Sequence, residues 1–445
     1  MSVINRLQRL TGEAEKGDGK KAGTVGPSEG ERADQIRRLR ERIDAVLSHR
    51  PEGPGGRPAA RGRGVPLEEF VPGAEAQNEG GRFFCAQRVA GGSSRHGRFC
   101  VRDLSPLDMD RIAVLANDPV LRGLDYRGAL FFDTETTGLA GGTGTVAFLI
   151  GLGWFEGDGF VTRQLFARDY AEERATLLDL TALLRERRFL VSFNGKAFDA
   201  NLLASRFVMN RLPDPLAALP HLDLLHSARR LLSHRLTDRR LGALEAAVLG
   251  FEREGDIPGS EIPQRYFDWL RRRDGRLMAD VFEHNRLDIL SLAALAAHLT
   301  ELIDPEGEGA RCHPGDRLAA ARLFLARDRR DEAVRVLDPL CRCSSPEAAR
   351  EASRELSLHH KRNGRWPEAT ALWEEMVRRH GEDCFALVEL AKWHEHKRRD
   401  FKRALELTER AASCPSLQPD ERADLARRCE RLERTLATVR TASKD

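Results

Sequence analysis

At 445 residues the chain is longer than one compact core accommodates, and two or three units are expected. Its 41% hydrophobic and 32% charged residues mark a charge-rich globular sequence, and no stretch reaches the roughly 20 apolar residues that span a bilayer. The net charge of +3 excludes a global basic field, so any contact with nucleic acid rests on local basic patches.

Met1 to Leu10 lacks the apolar core of a signal peptide, and eight scattered cysteines form no disulfide-like framework. A reducing, cytoplasmic location without a membrane partner is therefore expected. Residues 1–80 read as largely disordered, because Thr11 to Gly30 and Arg50 to Gly64 are too polar and too rich in Gly and Pro to offset their ordering entropy. The exception is an amphipathic helix over residues 31–50, with Ile36, Leu39, Ile43 and Leu47 at spacings of three and four. Residues 81–128 read as an accessory hairpin, Gly81 to Val89 against Gly97 to Val101, followed by a helical lead-in from Asp108.

Over 129–303 the pattern is a mixed sheet with flanking helices. Ala129 to Phe132 begins a buried strand that runs into Asp133-Thr134-Glu135-Thr136-Thr137-Gly138. Val146 to Phe155 and Phe160 to Phe166, separated by the turn signal Gly157-Asp158-Gly159, complete an antiparallel meander. Helix and strand then alternate: Glu172 to Arg187, Phe189 to Phe193, Ala197 to Met209 and His221 to Leu225, with helix from Leu241 to Leu302 broken near Pro258 and Asp274. From residue 314 to 439 no strand signal remains. Three short matches place Ala333, Ala369 and Ala404 36 and 35 residues apart, close to the period of ~34 for helix-turn-helix repeats. This part resembles degenerate tetratricopeptide repeats, and such repeats imply a protein partner.

The chemistry-bearing residues are acidic. Asp133 and Glu135 are i and i+2 on a strand, so both point the same way. Two adjacent carboxylates repel unless a cation sits between them, and oxygen ligands suit a hard one such as Mg²⁺ or Mn²⁺. A lone Asp-x-Glu serves equally as a polar strand end. Asp199 follows the Asn194-Gly195 turn at the start of a helix, where an acid is also favoured by the helix dipole. His284 and Asp288 are i and i+4 and share one helical face, a spacing also common in surface pairs. Four carboxylates suffice to hold two divalent ions, with a nearby imidazole as general base. Arg229-Arg230, Arg235, Arg239-Arg240 and Arg271-Arg272-Arg273 are either solvated faces or phosphate contacts. Cys312-His313 with Cys341-x-Cys343 lacks the spacing of a zinc site, and Gly141-Gly142-Thr143-Gly144 lacks the ending of a P-loop.

The order Asp133-x-Glu135, Asp199, His284-x-x-x-Asp288 resembles the DEDD superfamily of 3′→5′ exonucleases, in its His-type branch. The wider run resembles the YprB-like family of ribonuclease H-like exonucleases. It includes Ser192 to Asp199, Asp223-Leu224-Leu225-His226, Asp256-Ile257-Pro258-Gly259 and His284 to Asp288. The resemblance implies a ribonuclease H-like fold and two ions, Mg²⁺ or Mn²⁺, held by Asp133, Glu135, Asp199 and Asp288. It also implies His284 as base and a nucleic-acid 3′ end as substrate. The rival expectation is a non-catalytic adaptor that binds nucleic acid and recruits partners through its repeats.

Overall fold

The computed structural model describes residues 64–138, 144–307, 312–415 and 417–442. The helix expected over 31–50, and all but the last residue of the second glycine cluster, lie outside them.

The chain enters through β1 (Gly73–Asn78) and β2 (Gly81–Ala90), then a small two-stranded sheet of β3 (Arg95–His96) and β4 (Phe99–Cys100). After helix α1 (Met109–Ala116), capped by the Asp108 carboxylate, come β5 (Ala129–Thr136), β6 (Ala147–Glu156) and β7 (Gly159–Phe166). Next are α2 (Glu173–Leu184), β8 (Phe189–Ser192), α3 (Asp199–Met209), β9 (His221–Asp223) and α4 (Leu224–Leu232). The main sheet has the order β1-β2-β7-β6-β5-β8-β9. The meander β5-β6-β7 is antiparallel, and β8 and β9 join β5 in parallel. The two-residue loop Gly157-Asp158 closes the β6–β7 hairpin, and the positive φ of Gly157 (62°) is what such a turn requires. This five-stranded core with helices on both faces is a ribonuclease H-like arrangement, extended on one side by β2 and β1.

Two expectations are corrected. The disordered region was expected to run to residue 80, but β1 lies inside it. Its composition, Gly-Ala-Glu-Ala-Gln-Asn, is that of an exposed edge strand with little to bury, which is why no apolar alternation announced it. The expected pairing of 81–89 with 97–101 does not form either. Instead β2 pairs with β1 on one edge and β7 on the other, and residues 95–100 make their own short hairpin.

Alternation along β5 sends Ala129 and Phe131 into one apolar cluster and Leu130 and Phe132 into another. The first lies under α6 (Arg276–Leu302), represented by Ile289 and Leu292; the second lies under α2 and α3, represented by Leu180 and Leu203. Between β9 and α6 run a one-turn helix (Leu241–Leu244), a π-helical turn (Glu245–Leu249) and α5 (Ile262–Arg272).

The remaining helices are α7 (Pro314–Ala326), α8 (Arg330–Leu340), α9 (Pro346–Arg362), α10 (Trp366–His380), α11 (Cys384–Trp393), α12 (Phe401–Ala412) and α13 (Pro419–Ala442). Each packs against the next, as in an array of helical hairpins. Ala333, Ala369 and Ala404 are fully buried, so the repeated alanine marks the close approach of paired helices. The first hairpin is not a separate body. Leu318, Phe324, Val336 and Leu337 belong to the same apolar cluster as Leu231, Leu302 and Ile303.

Candidate active site

Asp133 and Glu135 continue the Phe131 face of β5 and so meet α6. Opposite Asp133 on β6 stands Gly151, and a Cβ there would lie 2.2 Å from the Asn285 Oδ1. Glycine thus makes room for a buried amide. Asn285 Nδ2 donates to Asp133 Oδ2 at 3.1 Å, and Asn285 Oδ1 accepts from Gln164 Nε2 at 3.0 Å. Gln164 also donates to the Phe282 carbonyl at 2.8 Å, so the chain of amides holds Asp133 in one orientation. A register shift between Glu135 and Thr136 ends regular pairing just past the second acid.

Asp199 arrives on the opposite face. After β8 the chain turns through Asn194, whose φ of 65° is left-handed, and Gly195, where a Cβ would lie 2.5 Å from Ser192 Oγ. Asp223 secures this turn by accepting from the Asn194 and Lys196 amides at 2.8 and 3.2 Å while capping α4 through the Leu225 amide at 3.0 Å. Asp199 then opens α3, buried, and Thr134 on the outer face of β5 donates its hydroxyl to Asp199 Oδ1.

His284 and Asp288 come from α6. His284 Nδ1 lies 2.7 and 2.9 Å from the two Asp256 oxygens, so the Nδ1 proton is directed at Asp256 and Nε2 faces Asp288 Oδ2 at 3.5 Å. Arg253 binds three acids at once. Its Nε reaches Glu245 Oε2 at 2.7 Å, its Nη2 reaches Glu245 Oε1 at 2.5 Å and also Asp288, and its Nη1 reaches Asp256 Oδ2 at 3.0 Å. Glu245 is almost completely buried in the π-helical turn, which anchors the guanidinium from behind.

Glu135, His284 and Asp288 each offer one ligand atom within 4.8 Å of the others. Asp133 and Asp199 stand outside that tight group but share its field. Burial, then the negative charges of Asp288, Asp199 and Glu135, push the Asp133 carboxyl well above its ordinary value. Burial and Asp288 do the same to Glu135. Asp199 is raised by burial to about 6, against the pull of the Thr134 hydroxyl. Asp288 is also raised by burial, with Arg253 opposing. Such a set is under-neutralised by its own protein. The donors are hard oxygens with one imidazole at hand, which fits divalent cations of the Mg²⁺ or Mn²⁺ type.

Of the five expected residues, Glu135, His284 and Asp288 are brought into one tight group, while Asp133 and Asp199 stand beside it within reach of its charge. The residues that spacing alone did not assign are Asp256, Arg253, Glu245, Asn285 and Thr134. Thr134, Asp256 and Asn285 lie inside the stretches that carried the resemblance, but nothing in their spacing announced a partner. Of the basic clusters, Arg235, Arg240 and Arg271 are engaged by Asp316, Asp238 and Asp268.

A family model described as the RNase_H superfamily matches residues 130–300, the span from β5 to the end of α6. The "Uncharacterized protein YprB" of Bacillus subtilis (strain 168) is 34% identical over 355 residues, which cover 77% of this chain and 83% of that protein. An identity of that size over most of both chains means that the chain belongs to the YprB family, with a ribonuclease H superfamily domain at its centre.

Proposed function

We propose that the protein is a metal-dependent nuclease that removes nucleotides from nucleic-acid 3′ ends, with Asp133, Glu135, Asp199 and Asp288 holding two divalent ions, Mg²⁺ or Mn²⁺. The observation that carries this reading is the meeting of Glu135, His284 and Asp288 within 4.8 Å of one another, in a common field with Asp133 and the buried Asp199, the three other carboxylates being half-buried and Arg253 the one arginine or lysine paired with them among the described residues. When bound, such ions activate water and neutralise charge growing on the phosphate and the leaving oxygen. In this reading His284 takes a proton from the attacking water through Nε2, which lies 3.5 Å from Asp288 Oδ2. Asp256 holds the ring in the tautomer that leaves Nε2 free and stabilises the imidazolium that results. Arg253, fixed by Glu245, opposes the upward shift that burial imposes on Asp288 and holds its carboxylate aligned. Asn285 does the positioning for Asp133. The helical hairpins from α7 onward are proposed to engage a protein partner.

The test is incubation with 5′-end-labelled DNA and RNA oligonucleotides and Mg²⁺ or Mn²⁺. A ladder shortening stepwise from the 3′ end is expected. A single internal cut would overturn the exonuclease assignment, and an unchanged oligonucleotide would favour the adaptor.

A further inference from the structure

Far along the chain from the acidic site, two segments meet where the sheet domain joins the first helical hairpin. His234 follows the end of α4, and His313 and Asp316 open α7. His234 Nε2 lies 3.2 Å from Asp316 Oδ1, the two imidazoles stand 5.6 Å apart, and the three residues offer ligand atoms within 4.8 Å of one another. Gly315 lies between the rings: a Cβ there would be 2.5 Å from His234 Nε2 and 3.1 Å from His313 Nδ1. Only glycine leaves that space open.

We infer that His234, His313 and Asp316 form a zinc site that pins α4 to α7. Two imidazoles with one carboxylate suit a borderline cation better than a hard one, and three protein ligands leave the fourth tetrahedral position to water. Asp316 is buried and gripped by Arg235 through Nε–Oδ1 at 2.8 Å and Nη2–Oδ2 at 2.7 Å. That fork fixes the carboxylate as an outer partner fixes a ligand, and leaves Oδ1 directed at His234. His313 Nδ1 now accepts the Gly315 amide at 3.1 Å as a helix cap. The ion displaces that bond, a small loss beside the binding of a structural zinc.

The experiment uses the full chain, stripped with EDTA and titrated with zinc against a chromophoric chelator, as wild type, Asp288→Asn, His234→Ala and His313→Gln. One tight zinc is expected in the wild type and in Asp288→Asn. Each histidine variant should weaken it by more than the roughly 10–100-fold that loss of an outer partner costs. Zinc should raise the melting temperature of the wild type by more than that of either histidine variant. Cobalt(II) in the wild type provides a reading that needs no variant, because a low-coordinate site gives intense visible bands and an octahedral one does not. Absence of a tight zinc, its loss in Asp288→Asn alone, its retention in both histidine variants, or a weak octahedral cobalt spectrum would each overturn the site. So would a His234→Ala melting point that falls equally with and without zinc, which would leave a hydrogen-bonded clip.

Discussion

Asp199 shows what burial costs a carboxylate in this fold. Its folded value of about 6 stands above the ordinary ~4 of an unfolded aspartate. Between those values the folded metal-free protein holds a proton that the unfolded chain lacks, so stability rises as the pH falls from about 7 towards 4. The melting temperature in EDTA, wild type minus Asp199→Asn, should therefore become less negative over that interval; a flat difference would contradict the burial of a strained carboxylate. His284 carries a second expectation. As a base it should lose on the order of 10²–10⁴-fold in turnover as His284→Ala, with Mg²⁺ affinity by calorimetry nearly unchanged, and Asp256→Asn should lose less. A loss of affinity as large as in Asp288→Asn would instead make His284 a ligand, which its place beside Glu135 and Asp288 also allows. Asp133, Glu135, His284 and Asp288 were legible in the sequence because strand and helix periods put each pair on one face. Arg253 and Glu245 were not, because a π-helical turn and an irregular loop bring them there, and neither has a period to read.

The element that governs the site is β5 against β6 and α6. Gly151 is the contact that lets them close, since any side chain there meets the Asn285 amide. Gly151→Ala should cost about 1–3 kcal/mol of overpacking, read by denaturant unfolding, and should lower activity further through the loss of the Asn285 hold on Asp133. Unchanged stability and activity would show that the amide chain gives way freely. The meander and the parallel strands β8 and β9 were readable because they are buried apolar runs bounded by turn residues. The edge strand β1 and the true partner of β2 were not, because pairing at an exposed edge needs few apolar residues and leaves no alternation. The Asp223 brace of the Asn194 turn was likewise invisible, since it joins a strand end to a loop that only the sheet brings together.

At the scale of the whole molecule, the first helical hairpin shares the apolar core of the sheet domain. The sequence motifs end before residue 303, where the span 129–303 of sheet and helices gives way to the repeats. The apolar cluster runs on through Leu318, Phe324, Val336, Leu337 and Leu356, and Arg317 Nη1 donates to the Leu302 carbonyl at 3.0 Å. Ending the chain at 303 would uncover residues such as Leu231, Leu302 and Ile303, each worth about 1.5–3 kcal/mol of burial. Against a total stability of about 5–15 kcal/mol that loss is not tolerable. A protein ending at 303 should fail to unfold cooperatively, whereas one ending at 363, before the separate cluster around Trp373 and Leu387, should melt cooperatively and keep its chemistry. Cooperative unfolding of the 303 truncation would show that the cluster divides. The central claim concerns the full chain and its four acids. The direct measurement is the rate of oligonucleotide hydrolysis with saturating Mn²⁺, for wild type and Asp133→Asn, each repeated in EDTA. Hydrolysis by the wild type alone, abolished by EDTA and restored by Mn²⁺, is predicted; equal hydrolysis by Asp133→Asn, or wild-type hydrolysis that survives EDTA, would contradict it.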